Sequence, residues 1–245
     1  MRVGAHVEID RMFLSQTNNG ILKEKDNDGK WGLLVVVDLL SSYADAETFD
    51  SSTVVDTAKL TRKILKRMSR KMNFKGGKCF SDAGIEFIGP RANRSNAFID
   101  TVTSFGMEYS ALPTRHTAPF VENKNGDIRR NLNSLLARTK SKRWVSVWRK
   151  ILTNINAASF TDDRAGLTPN EIVAMSPKEQ KKVAWEHKNA KGKRNSKTPG
   201  IKFKPLPIGS FVRIALEPKM KGAKMEKKGP QTEVECQELR NYLNE

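Results

Sequence analysis

Three carboxylates stand where secondary-structure elements are expected to end. Asp10 lies in Val3–Leu14, a mostly apolar segment with a polar break at Glu8–Arg11 that reads as a strand, with Val7 and Ile9 inward on one face. Asp82 follows the short strand expected at Lys78–Ser81 and precedes Ala83-Gly84, where a chain can turn sharply. Glu122 falls in the first turn of a long helix expected over Phe120–Arg138. A lone carboxylate in an apolar strand is costly unless it is paired, hydrogen-bonded or metal-bound. Carboxylates from separate element ends can converge on hard divalent cations, which prefer oxygen ligands. Two such ions about 3.5–4 Å apart activate a nucleophile and stabilise the leaving oxygen in phosphoryl transfer. Plainer readings exist for each residue: a strand-end Asp is more often a turn or cap residue, and an acidic first helical turn suits the helix dipole. Neither composition nor spacing singles these three out among the 27 acidic residues.

The elements that must position them can be read from periodicity. Gly32–Leu40 (GLLVVVDLL) is a continuous apolar run of strand length, as in a buried central strand. Tyr43–Phe49 alternates weakly and is read as the next strand, so that three strands joined by short loops form an antiparallel meander. Ser52 or Thr53 can N-cap a helix running to about Met72, with Val54, Ala58, Ile64, Leu65 and Met68 at helical spacing. Gly76-Gly77 ends it. A second helix is expected over Asn93–Phe105, closed by Gly106, followed by a strand at Met107–Leu112 and a loop at Pro113–Pro119. In Phe120–Arg138, Val121, Ile128, Leu132 and Leu135 share a face; in a further helix, Trp144–Phe160, the buried set is Trp144, Val147, Trp148, Ile151 and Ile155. Thr168-Pro169 is a helix start, and Pro177–His187 is read as a last helix. The order of strands and helices predicts an α/β domain with a mixed sheet covered by helices.

Charge separates the chain into two halves of different character. The net charge is +17, which points to a polyanionic partner, nucleic acid being the commonest. Residues 139–245 hold 23 Lys and Arg against 11 Asp and Glu, leaving +5 for residues 1–138. The segment Lys188–Pro199 (KNAKGKRNSKTP) reads as a basic linker, Ser210–Leu216 as a short β piece, and the lysine-rich tail from Pro218 as a mobile extension. The two cysteines, Cys79 and Cys236, are far apart and argue against a disulfide framework. No His/Cys cluster has zinc-ligand spacing. No apolar run reaches the roughly 18 residues of a membrane span, so no membrane partner is expected.

The local wording around the carboxylates is more specific than their positions. VEID (Val7–Asp10), LLVVVDLLSSYADAETF (Leu33–Phe49), SDAGIEF (Ser81–Phe87), GMEYSALPTRHTAPFVENKNGDIR (Gly106–Arg129) and NINAASFTDDRAGLTPNEIV (Asn154–Val173) occur in that order. Together they resemble the catalytic core of the retroviral-type integrase family, which includes the integrases of retrotransposons and of Polinton (Maverick) elements. SDAGIEF is similar to the family's turn around its second catalytic Asp. The resemblance runs from about residue 4 to 175, and GIKFKPLPIGSFVRIAL (Gly200–Leu216) looks like the small SH3-like or chromodomain-like module that follows several such cores.

The resemblance implies a ribonuclease H-like core over residues 1–140, a helical extension over 141–187, a basic linker over 188–200 and a small β module with basic tail over 201–245. It implies that Asp10, Asp82 and Glu122 are catalytic and ligate two Mg²⁺ or Mn²⁺ ions. It also implies a DNA integrase or transposase that cleaves element ends and transfers strands to target DNA, working as a homo-oligomer in a eukaryotic nucleus or in association with a virus. Thirty-nine residues separate Asp82 from Glu122, a few more than in many members, which fits an extra turn between them. Asn125 and Arg129, one and two turns beyond Glu122 on the same helix face, stand where members touch DNA ends; a solvated basic face accounts for Arg129 and Arg130 as well. Lys191, Lys193, Arg194, Lys202, Lys204 and Arg213 are expected to hold phosphate backbones. Asp38 is expected to be structural at the end of a central strand, Glu86 to brace its turn, and His116 to be an ordinary loop residue. The family usually carries an N-terminal His/His/Cys/Cys zinc domain, whereas nine residues precede Asp10 here; that module is expected either upstream or absent. The alternatives are a basic DNA-binding or assembly protein on the same scaffold without chemistry, and a related nuclease without strand transfer.

Overall fold

The computed structural model of the chain describes residues 2–14, 24–89, 96–112, 118–159 and 166–186. The chain divides into two units, Met1–Asn195 and Ser196–Glu245. The expected basic linker and β module, with Lys191, Lys193, Arg194, Lys202, Lys204 and Arg213, lie outside the described residues, as does His116.

Five strands form one mixed sheet. They are β1 (His6–Phe13), β2 (Gly32–Asp38), β3 (Ala44–Phe49), β4 (Gly77–Ser81) and β5 (Met107–Ala111), in the spatial order β3-β2-β1-β4-β5. The first three form the antiparallel meander, with Asp10 opposite Val35 and Val35 opposite Ala46. β4 and β5 add in parallel, Val7 facing Cys79 and Cys79 facing Tyr109. Parallel strands need crossover connections. These are α1 (Val54–Met68) between β3 and β4, and α2 (Ile85–Ile88) with α3 (Ala97–Ser104) between β4 and β5. Then follow α4 (Pro119–Thr139), α5 (Trp148–Ala157) and α6 (Pro169–Ala174), and residues 177–186 are helical.

Side-chain alternation along β1 and β2 sorts the core into two layers. Val7, Ile9, Leu34 and Val36 join Ile64, Leu65 and Met68 of α1, Phe98 and Val102 of α3 and Ile172 of α6. Met12, Leu33, Val35 and Val37 join Val121, Ile128 and Leu132 of α4 and Trp148, Ile151 and Leu152 of α5. Each such fully buried side chain contributes about 1.5–3 kcal/mol. β2 is buried on both faces along its length, which is why its sequence is apolar up to Asp38 at its end. Its first residue must be glycine, because a Cβ on Gly32 would stand 2.0 Å from the Met12 carbonyl oxygen.

Polar side chains decide where elements begin and where the sheet ends. Thr53 caps α1 by accepting from the Asp56 N–H, and Asn96 caps α3 by accepting from Phe98 and Ile99, later than the start expected at Asn93. α6 opens on a full capping box between Thr168 and Glu171. The helix expected from Trp144 begins at Trp148 instead. The Trp144 N–H donates to Asn27 Oδ1 at 2.8 Å and its ring is wholly buried, so that residue anchors the loop before the helix. The exposed edge of β3 is closed by Asn156, whose amide accepts from Ala44 N–H (3.0 Å) and donates to Ala44 O (2.7 Å), as a neighbouring strand would.

Candidate metal and DNA site

Asp10 points to the α4 side of β1, and α4 is tied to β1 at three levels. The start of α4 has no side-chain cap of its own, Ala118 occupying that position. Glu8, two residues before Asp10 and on the same strand face, supplies the cap from another element: its Oε2 accepts from the N–H groups of Phe120 (2.8 Å) and Val121 (2.9 Å). Burial raises the Glu8 carboxyl above its ordinary value, the two helix N–H groups oppose that, and Glu122 adds repulsion. One level further along, Asn125 Nδ2 donates to Asp10 Oδ2 at 2.8 Å. At the third, Arg129 donates to the Phe13 carbonyl at 3.2 Å. A helix fastened this way brings the Glu122 charge near enough to act on Asp10.

Glu8→Ala leaves two helix N–H groups without their buried acceptor. It is expected to cost about 2–3 kcal/mol in urea unfolding, against about 1 kcal/mol or less for Glu8→Gln, which keeps an acceptor oxygen. Equal losses in both variants would mean that the charge, and not the acceptor, holds α4.

Asp82 is placed by a turn rather than by a strand. Ser81 Oγ donates to the Asp82 carbonyl at 2.6 Å and shares a 2.9 Å hydrogen bond with Tyr109 OH, while Asp82 Oδ1 accepts from Gly84 N–H at 3.3 Å. Glu86 and Asp82 both reach toward the Gly84 position: a Cβ there would lie 2.6 Å from Glu86 Oε2 and 3.1 Å from Asp82 Oδ1. The short helix α2, which begins immediately after this glycine, is a feature that periodicity does not reveal, since four residues carry no period.

The electrostatics of Asp10 report its neighbours. Its carboxyl is raised from 3.8 to about 6, by burial first, against the opposing hydrogen bond of the Arg11 backbone, and then by the charges of Asp82, Glu122 and Glu86. Four carboxylates therefore share one neighbourhood, with Asp82 and Glu122 exposed and Asp10 and Glu86 half-buried. Among the described residues, no three His, Cys, Asp or Glu side chains stand close enough together to hold one ion as placed. The donor set is nonetheless all oxygen and carries excess negative charge, which suits a hard divalent cation and not a thiolate- or imidazole-preferring metal.

The other candidates sort by burial. Asp38 is fully buried and takes hydrogen bonds from Gly4 N–H (2.7 Å), Ser41 N–H (2.8 Å) and Ser41 Oγ (2.7 Å), so it braces the end of β2. Asn125 is 9% exposed and turned onto Asp10, with its Oδ1 lacking a partner among the described residues. Arg129 and Arg130 are exposed, and Arg130 pairs with Asp127. The Cys79 thiol is buried and pushed up to about 12, which makes it a poor nucleophile. A cleft of about 360 Å³ lined by Tyr43, Arg67, Trp148 and Arg149 lies along β3 and takes none of these carboxylates. No described helix is long and apolar enough to cross a membrane.

No protein-family model matches the chain, and no curated protein matches it. Solved structures do. The HTLV-2 integrase catalytic core domain in complex with magnesium, in its trimeric form, superposes with a TM-score of 0.50 at 21% identity, over 70% of this chain and 97% of that one. The dimeric form gives 0.51 at 20% identity, over 71% and 99%. The simian T-cell lymphotropic virus intasome in complex with PP2A regulatory subunit B56 gamma gives 0.55 at 14% identity, over 71% of this chain and 56% of that one. The fold is thus the ribonuclease H-like fold of retroviral integrase catalytic cores: a mixed five-stranded sheet flanked by helices.

Proposed function

We propose that this chain is a DNA integrase or transposase that cleaves near the ends of a mobile or viral DNA element and joins the freed 3′ ends to target DNA. The observation that carries this reading is the crowding of Asp10 by Asp82, Glu122 and Glu86 at the junction of β1, the turn after β4 and the start of α4. Divalent ions on such an oxygen set supply charge stabilisation and a deprotonated nucleophile at neutral pH. Asp10, Asp82 and Glu122 would hold Mg²⁺ or Mn²⁺, the former being the metal present in the HTLV-2 cores. Asn125 would keep the Asp10 carboxylate turned toward the site. In the first reaction water attacks a phosphodiester near the element end and the bond to the 3′ oxygen breaks. In the second, that 3′-hydroxyl attacks a target phosphodiester and displaces the target's own 3′ oxygen. Arg129 and the basic residues Lys191, Lys193, Arg194, Lys202, Lys204 and Arg213 would grip phosphate backbones. The dimeric and trimeric forms of the HTLV-2 cores, and the intasome, support a homo-oligomer that brings DNA ends together.

The test is cleavage and strand transfer of labelled DNA ends in Mn²⁺. Wild type is expected to yield products, and Glu122→Gln or Asp82→Asn to lower them at least about a hundredfold, the scale on which loss of one transition-state-stabilising group is felt. Both side chains are exposed, so both variants are expected to stay within about 0.5 kcal/mol of wild-type stability. Mutants as active as wild type would remove these carboxylates from the chemistry.

A second reading is favoured by the open placement of the carboxylates, no three of which close on one point among the described residues. It is a DNA-binding or assembly protein on the same scaffold, without chemistry. DNA affinity alone does not separate the two readings, because the +17 charge acts in both. In either case affinity is expected to fall by about a thousandfold or more between roughly 50 and 200 mM salt, as release of counterions from several phosphates requires. A flat salt response in a filter-binding titration would remove the phosphate-binding role of the basic residues.

A further inference from the structure

Positive charge is concentrated on one helix of the sheet's α1 layer. From Thr57 to Ser81 the chain carries nine Lys and Arg and no Asp or Glu. Lys59, Arg62, Lys63 and Lys66 are exposed on α1, and Arg70, Lys71 and Lys75 are exposed in the turn that follows it. Lys59, Lys63 and Lys66 recur at helical spacing, directly opposite the face that buries Thr61, Ile64, Leu65 and Met68. They form one stripe along the outer side of the helix, which Arg70 extends.

Little of this charge is answered within the fold. Lys59 pairs with Asp56, and Arg67 with Asp45 and Glu47. Lys71 lies over the Tyr43 ring, 4.8 Å from its centroid. Lys63, Lys66, Arg70 and Lys75 have no carboxylate partner among the described residues. Like charges one turn apart on a helix repel. The helix dipole favours cations only in the last turn, where Lys66 and Arg67 stand. The stripe therefore costs the fold stability unless an anion from outside neutralises it. Arg70 and Lys71 also line two clefts, of about 360 and 440 Å³.

The chemistry of the face selects the occupant. Protein interfaces centre on apolar or aromatic anchors and are poor in lysine. The exposed large apolar side chains among the described residues are Val55, Ile85 and Trp185, none of them in this run. Seating on a lipid surface needs an apolar face free to insert, and α1 buries its own in the core. A second copy meeting this stripe across a twofold axis would set cation against cation. A nucleic-acid backbone needs closely spaced cations and no apolar contact.

We propose that the outer face of α1 and the turn after it form a second nucleic-acid surface, which holds the phosphate backbone of a DNA duplex without reading its sequence. α1 packs on the face of the sheet opposite α4, toward which Asp10 points. The stretch of DNA held here is thus a different one from any stretch that meets the carboxylates. The inference rests on the DNA reading above for the identity of the polyanion, and it is independent of the metal chemistry.

The experiment is lysine acylation of the full chain, mapped by mass spectrometry with and without a DNA duplex of arbitrary sequence, beside a salt titration of binding to the same duplex. DNA is expected to lower acylation of Lys63, Lys66 and Lys75 severalfold. The triple variant Lys63→Gln, Lys66→Gln, Arg70→Gln is expected to bind at least about tenfold more weakly, with a log–log salt slope shallower by about 2–3, roughly one step for each lost phosphate contact. Its Tm should equal or exceed that of wild type, because repulsion along the helix is relieved. A control that removes the same charge beyond the sheet's other face, Arg138→Gln, Lys140→Gln, Lys142→Gln, should stay within about threefold of wild type. An equal loss in the control would reduce the effect to net charge and overturn the surface. Protection of the same lysines without DNA, rising with protein concentration, would give the face to a second copy. Protection by vesicles containing phosphatidylserine, and not by the duplex, would give it to a lipid surface. Either result overturns the proposal. If wild type cleaves DNA ends while Lys63 and Lys66 stay unprotected, the enzyme stands and the surface falls. If Glu122→Gln is as active as wild type while these lysines are protected, the surface stands and the catalytic reading falls. A folded wild type that binds no DNA would overturn both.

Discussion

Asp10→Asn is expected to make the metal-free protein more stable at neutral pH while abolishing any divalent-metal chemistry. The Asp10 carboxyl sits at about 6 because burial and the charges of Asp82, Glu122 and Glu86 disfavour its ionised form. The folded value lies above the ordinary 3.8, so the folded chain holds this proton more tightly than the unfolded chain. The stability from that proton is fully present below the unfolded value, and it is lost as pH rises through the folded one. At about pH 7 the ionised group therefore costs roughly 2–3 kcal/mol, about two pKa steps at 1.36 kcal/mol each.

Asparagine removes the charge and keeps an oxygen to accept from Asn125. In chelator the variant is expected to melt about 4–8 °C above wild type near pH 7, the advantage shrinking as pH falls toward about 4. Mg²⁺ or Mn²⁺ should narrow or reverse the gap by stabilising only the chain that binds it. Differential scanning calorimetry across pH, with and without metal, measures all three. A variant no more stable than wild type in chelator near neutrality would mean that Asp10 is not held in a crowd of carboxylates.

Asp38→Ala is expected to have the opposite and larger effect on folding. Asp38 has no solvent exposure, and its two oxygens serve Gly4 N–H, Ser41 N–H and Ser41 Oγ, joining the chain before β1 to the turn between β2 and β3. Alanine would leave three buried donors unsatisfied, a loss of about 3–5 kcal/mol. The corresponding fall in Tm is about 6–15 °C. Asp38→Asn, which can still accept from two donors, should lose less. Asp38 neither faces the α4 layer nor touches Asp10, so residual activity per folded molecule should be unchanged. A fall in specific activity of the folded fraction would place it nearer the chemistry than its contacts do.

The meander was legible because its strands carry unambiguous periods. GLLVVVD is apolar up to Asp38, since both faces of β2 are covered, and Val7 and Ile9 alternate with Glu8 and Asp10 because β1 turns one face to the α1 layer and the other to α4. The long helix α4 was legible from Val121, Ile128 and Leu132, and α6 from Thr168-Pro169. α2 was missed because one helical turn has no periodicity to read. The start of α5 was misjudged because Trp144 packs into the core from the loop before the helix, where Asn27, 117 residues away, holds its backbone N–H, and burial from a loop mimics burial on a helix face.

What the sequence by itself determined is therefore the longer elements, the two-faced pattern that sorts them about one sheet, and the carboxylates they carry or border. These are local matters, settled by side-chain period, caps and turns within a few residues. Tertiary structure alone decided which groups each carboxylate bonds. Glu8 and Asp38 are as acidic in the sequence as Asp10, yet one caps a helix more than a hundred residues later and the other closes a turn. Only the parallel addition of β4 to a short stretch of β1, and the fastening of α4 along β1, put the charges of Asp82, Glu86 and Glu122 near enough to raise the Asp10 carboxyl, although no three of these groups close on one point among the described residues. The energy of a charge depends on its surroundings within a few ångströms, and in a folded chain those surroundings come from distant sequence.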